Sequence, residues 1–79
     1  MERAEIYAKV VAIIARILKI SPEGINEQSN LESLGADSLN RVEVVMDLEE
    51  AFGIEINDEE AEQLSTVGQA VDYIVRLQR

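Results

Sequence analysis

The side chains able to do covalent chemistry in this sequence reduce to one hydroxyl in a telling place. Histidine and cysteine are both absent, which removes the usual general base, the usual nucleophile pairing and the usual transition-metal ligands. The acids Asp58-Glu59-Glu60 are a weak cation cluster at best, and no Asp-x-Asp-x-Asp-Gly loop closed by a Glu is present, so an EF-hand is excluded. No metal site is expected. Hydrolysis by paired carboxylates needs a substrate cleft that 79 residues of helix are poorly able to enclose, so the chain is read as no enzyme. Ser38 lies in Leu34-Gly35-Ala36-Asp37-Ser38-Leu39, where a loop turns into a helix. A phosphodiester attached there sits beside the unpaired N–H groups and the positive dipole end of that helix. Taken alone, the Asp37-Ser38 pair reads first as a plain helix N-cap.

Four helical segments follow from period and caps, and they must position that serine. The first spans roughly Arg3 to Lys19, with Ile6, Val10, Ile13, Ile14 and Ile17 on one face. Arg16 and Lys19 suit its negative end. A long connection runs to about Ala36; Ser21-Pro22-Glu23-Gly24 reads as a capped turn, and Ile25, Leu31 and Leu34 as plugs that pin the loop to the bundle. The second helix runs from about Ser38 to Phe52 and stops at Gly53. Ile54-Glu55-Ile56 is a short extended link. Asn57 caps a brief third helix, with Glu60 in the reciprocal position. Thr66 caps a fourth, whose Val67, Ala70, Val71, Ile74 and Leu77 form an apolar face. The expected fold is all-α: a four-helix bundle with three longer helices and one short one, a long loop between helices one and two, and a single domain over residues 1–79.

Helix two carries more apolar surface than a core requires. At ~100° per residue its apolar positions cover roughly 240° of the circumference, where one core needs little more than ~100°. Val44, Val45, Leu48 and Phe52 cluster as a core stripe; Leu39, Val42 and Met46 form a second stripe, with Glu43, Glu49 and Glu50 around it. Either helix two is buried nearly all round, or the second stripe docks a partner. A chain this short has few elements to cover it, which favours docking. Arg41 fits neither stripe and is expected at a rim with its charge in water.

The charge is −9 overall, but residues 21–75 alone carry fourteen acids and one base. Such a field repels phosphate backbones, so nucleic acid is not an expected partner. It attracts basic protein patches and speeds their encounter. No apolar run approaches a membrane span, and Met1-Glu2-Arg3-Ala4-Glu5 lacks a signal peptide's basic start. The expectation is a cytoplasmic monomer, with organellar stroma or matrix the other setting.

The run from Leu34 through Ser38-Leu39-Asn40-Arg41-Val42-Glu43 to Met46-Asp47-Leu48-Glu49-Glu50-Ala51-Phe52 closely resembles the acyl carrier protein family, in its stand-alone fatty-acid-synthase type. The similarity continues through Ile54-Glu55-Ile56, Asp58-Glu59-Glu60-Ala61-Glu62 and Thr66-Val67 to Ala70-Val71-Asp72-Tyr73-Ile74. The resemblance implies 4′-phosphopantetheine, taken from coenzyme A by a phosphopantetheinyl transferase and carried on Ser38, flanked by Asp37 and Leu39. Its thiol would supply the thioester chemistry that a chain without cysteine lacks. The resemblance also implies shelter of the acyl chain by Val45, Leu48, Ile56, Ala61 and Ile74. Fatty acid synthesis enzymes with basic docking patches would meet Leu39, Val42, Glu43, Met46, Glu49 and Glu50. Two departures stand out: Asn40 where an acid is frequent, and Arg41 where a small polar residue is frequent.

Three functions therefore compete: a fatty-acid-type carrier; a carrier for a polyketide, peptide, D-alanyl or other lipid-type pathway; and a non-covalent acidic adaptor. The dense acids after Ser38 speak against the peptide and D-alanyl types.

Overall fold

The computed structural model describes residues 1–78, and their helices are α1 (Arg3–Leu18), α2 (Ser38–Phe52), α3 (Asp58–Gln63) and α4 (Val67–Leu77), with a 3-10 turn at Pro22–Gly24. The architecture is the expected all-α one, with three longer helices and a short third.

Each boundary has a local cause. Ser21 Oγ accepts from Glu23 N–H, and Pro22 opens the 3-10 turn. Gly53 closes α2 at φ 62°, a left-handed conformation that costs glycine little. Thr66 and Gln69 form a full capping box on α4. At α3 the expected reciprocal box is modified: Asn57 Oδ1 accepts from Glu60 N–H, while Asn57 Nδ2 donates to Glu60 Oε1. Lys19, expected inside α1, is instead its left-handed C-cap at φ 57°. The chain must reverse there to bring Ile20 back against the core, and the N–H groups of both Lys19 and Ile20 reach Ala15 O.

The core draws on every helix except α3, none of whose residues is buried. α1 packs most extensively on α4 and next on α2. On α1 the buried residues are Ile6, Val10, Val11, Ile14 and Ala15, while Ile13 and Ile17 are only partly covered. The buried face is therefore turned from the expected one, because α1 is covered from two sides rather than one. Leu77, expected on the apolar face of α4, is exposed as that helix leaves the bundle.

The long loop is stitched down rather than draped. Leu31 N–H donates to Ser65 O, Val67 N–H to Ser29 O and Gly68 N–H to Glu27 O. Asn30 and Thr66 pair as an isolated antiparallel bridge. Ile25 and Leu31 are buried, and Leu34 is partly so. Arg3 adds an ionic tie, meeting Glu27 of the loop at 2.7 Å and Asp72 of α4 at 2.9 Å. That guanidinium holds the Glu27 carboxyl below its ordinary range.

Candidate functional site

Ser38 is the first residue of α2, and its side chain is exposed. The turn before it fixes that position. Leu34 N–H donates to Asn30 O, Gly35 N–H to Glu32 O and Ala36 N–H to Leu31 O. Gly35 stands at φ 100°, where any side chain is strained. Asp37 is the N-cap: its Oδ1 accepts from Asn40 N–H at 2.8 Å, and Asn40 Oδ1 accepts from Asp37 N–H at 3.3 Å. Asn40, a departure from the resembled pattern, is thus the returning half of a capping box. The spacing Asp37-x-x-Asn40 is the signal that could have revealed it in the sequence.

The cap occupies the N–H of Asn40, and that of Arg41 goes to Asp37 O. The N–H groups of Ser38 and Leu39, at the first two helical positions, point along the axis toward the helix start. An anionic ester on Ser38 Oγ fits that corner: the hydroxyl is open, backbone donors are close, and the dipole has the right sign. The residues present therefore suit a phosphodiester-linked group.

A surface groove of about 590 Å³ starts at Ser38 and runs between α2 and α3. Arg41, Val42, Val45, Met46 and Glu49 form its α2 wall, and Ile56, Asp58, Ala61 and Glu62 its opposite wall. Behind it lies a much smaller, more enclosed space of about 10 Å³, lined chiefly by Ile14, Leu31, Val44, Leu48, Leu64 and Ala70. Val45, Ala61 and Arg41 face both spaces. Of the residues expected to shelter an acyl chain, Val45, Ile56 and Ala61 line the groove, and Leu48 faces the void. Ile74 is fully buried in the α4 core and lines neither space. Periodicity placed it in the core but could not say which space, if any, it would line. A separate hollow of about 560 Å³ between α3 and α4 does not reach Ser38. There, burial pushes the Tyr73 phenol up from its ordinary range, helped by the nearby Glu60 carboxylate.

The outer stripe of α2 is uncovered. Leu39, Val42 and Met46 are 67%, 54% and 58% exposed, which excludes a helix buried nearly all round. Glu43 and Glu50 are exposed beside it. Glu49 turns instead toward the α2–α3 link, where its Oε2 accepts from Ile56 N–H at 2.8 Å. Asp47 pairs with Arg16 of α1.

Arg41 departs most from expectation. Its guanidinium is turned inward, donating to Leu64 O at 3.2 Å and, more weakly, to Ala61 O at 3.5 Å, with Glu32 at 3.9 Å. Ala61 O already accepts from Leu64 N–H, but the carbonyls at the end of α3 have lone pairs to spare and carry the negative dipole end, so they draw the guanidinium inward. Nothing local in the sequence signals these contacts, because they join residues twenty or more positions apart.

The sequence pattern of the family described as "phosphopantetheine attachment site" matches residues 8–74. Proteins named acyl carrier protein are similar over nearly the whole chain. One from Rubrobacter xylanophilus is 48% identical, with 99% of this chain and 98% of the relative covered. One from Thermosynechococcus vestitus is 52% identical over 94% of this chain and 93% of the relative. Among solved structures, an acyl carrier protein from Enterococcus faecalis superposes with a TM-score of 0.81 at 45% identity, over 96% of this chain and 98% of that one. A free-standing peptidyl carrier protein from Acinetobacter baumannii superposes at 0.87 over 99% of this chain and 98% of that one. At 23% identity that likeness speaks for the fold alone.

Proposed function

Because the chain belongs to the acyl carrier protein family, which holds 4′-phosphopantetheine covalently, we propose that it carries growing acyl chains on Ser38 and delivers them to the enzymes of fatty acid synthesis. The observation that supports this most directly is Ser38 itself: an exposed hydroxyl at the open N-terminus of α2, at the head of a groove with apolar walls. When bound, the group supplies a terminal thiol for thioester formation.

The chain's own residues then have distinct tasks. Asp37 and Asn40 hold the first turn of α2 in shape, and its free N–H groups face the ester. Val45, Ile56 and Ala61 offer apolar cover, with Leu48 and Ile74 behind as core. Leu39, Val42 and Met46 hold a docked enzyme, while Glu43, Glu50 and the more enclosed Glu49 steer its basic patch. A phosphopantetheinyl transferase would use the same surface, since it must reach Ser38. With neither His nor Cys, the chain itself catalyses nothing; it acts as a monomeric single-domain carrier in the cytoplasm or an organellar equivalent. Among the described residues, no helix is long and apolar enough to cross a membrane.

Arg41 at the groove favours a second reading, in which the same carrier serves a polyketide or other specialised lipid-type pathway. Incubation with coenzyme A, Mg²⁺ and a promiscuous transferase tests the common premise. The wild type should gain the mass of the arm, and Ser38→Ala should not. No gain in the wild type would return Ser38 to the role of a helix residue and leave a non-covalent adaptor as the better account. If the arm is added, competition between purified ketosynthases of the fatty-acid and polyketide types for the loaded protein separates the two pathways.

A further inference from the structure

The short helix α3 fully buries none of its own side chains, and only Ala61 is partly covered against the core, so most of what keeps it closed on α2 comes from elsewhere. Ile56 and Leu64 anchor its flanks in the core. Two side chains from α2 complete the closure. Glu49 takes the N–H of Ile56 ahead of α3, and Arg41 takes the carbonyls of Ala61 and Leu64 at its end. Arg41 also stands with Val45 and Ala61 where the outer groove adjoins the smaller inner void, since all three line both.

That void has room for one water at most. An apolar chain entering from the groove must therefore widen it, and the wall free to yield is α3, the helix with no buried residue. Moving the end of α3 outward breaks the Arg41 contacts.

We propose that Arg41 is a specificity-determining latch that sets the length of acyl chain the protein shelters inside its core. This rests on the carrier reading above. Short saturated chains stay in the outer groove beside Val42 and Met46. Longer ones bury enough methylenes among Leu31, Val44, Leu48 and Leu64 to open the latch. Each buried methylene shifts that balance by about fourfold, and losing a hydrogen bond to a charged group shifts it by roughly tenfold or more. Removing the latch should therefore lower the threshold chain length by about two carbons or more.

The test loads amide-linked butanoyl, hexanoyl, octanoyl and decanoyl pantetheine onto wild type, Arg41→Met and Arg41→Lys. Met keeps the alkyl stem and removes the donors; Lys restores a cation. Intact mass reports loading, and methyl resonances of Leu31, Leu48 and Leu64 report entry into the core. Expected is a shift of those methyls beginning about two carbons earlier in Arg41→Met than in wild type, with Arg41→Lys between them. The unloaded proteins should have matching interior methyl spectra. The same threshold in all three proteins, or interior methyls that never respond at any length, would overturn the latch. A variant whose unloaded spectrum is already changed throughout the core, with no change in threshold, assigns Arg41 a purely structural role and also overturns it. Absence of loading on wild-type Ser38 removes the carrier reading instead, and the latch with it.

Discussion

Asp37 and Asn40 show how much of the site depends on two short side chains. Each satisfies the other's backbone N–H, so the turn entering α2 has a defined direction and Ser38 a defined place on it. Removing an N-cap costs ~1 kcal/mol, which in a domain of this size moves the melting temperature by roughly 4–8 °C. Asp37→Ala should show a drop of that order by thermal circular dichroism, and Asp37→Asn, which keeps the acceptor oxygen, a much smaller one. Equal losses would mean that the charge, rather than the hydrogen bond, holds the turn. At this scale the sequence was most readable where partners are close along the chain. Ser38, the Asn57 and Thr66 caps and Gly53 all follow from residues within four positions of one another. Arg41 does not, because carbonyls at the end of another helix determine where its charge goes. Glu49 is the same case, since its partner is a link whose path only the fold defines.

Between elements, α4 comes close to the long loop at Gly68. Gly68 lies in the first turn of α4, and a Cβ there would stand 3.0 Å from Glu27 O, tighter than ordinary contact. Glycine inside a helix usually costs ~1 kcal/mol against alanine, so propensity alone predicts that Gly68→Ala stabilises. The Glu27 carbonyl has little freedom to retreat: it accepts from Gly68 N–H at 2.9 Å, and its own side chain is held by Arg3. Gly68→Ala should therefore lower the denaturant midpoint rather than raise it. A rise would show that the loop yields more easily than its hydrogen bonds suggest. Helix positions and caps were legible from the sequence because hydrophobic period and capping are local. The turned face of α1, the exposure of Leu77 and the burial of Ile74 away from the groove were not, because each depends on which helices end up as neighbours.

Over the whole molecule, charge sets the response to solvent. The chain spans 30 × 25 × 19 Å and carries a net charge of −9. The screening length is about 30 Å at 0.01 M salt and about 8 Å at 0.15 M, so only at low salt do acids on opposite sides of the bundle repel one another. Exposed ion pairs such as Arg3 with Glu27 and Asp72 weaken with salt, but such pairs contribute little. The melting temperature should rise by at least about 4 °C between those two salt concentrations; a flat or falling curve would mean that the local pairs outweigh the collective repulsion. The packing of α1 on α4 reaches beyond stability. These two helices lie furthest apart in the chain yet share the largest contact, so during translation the side of α1 that α4 covers stays bare until α4 clears the ribosome, even where α2 has already packed. Nascent chains that stall before Val67 therefore cannot close the bundle, however complete α2 already is.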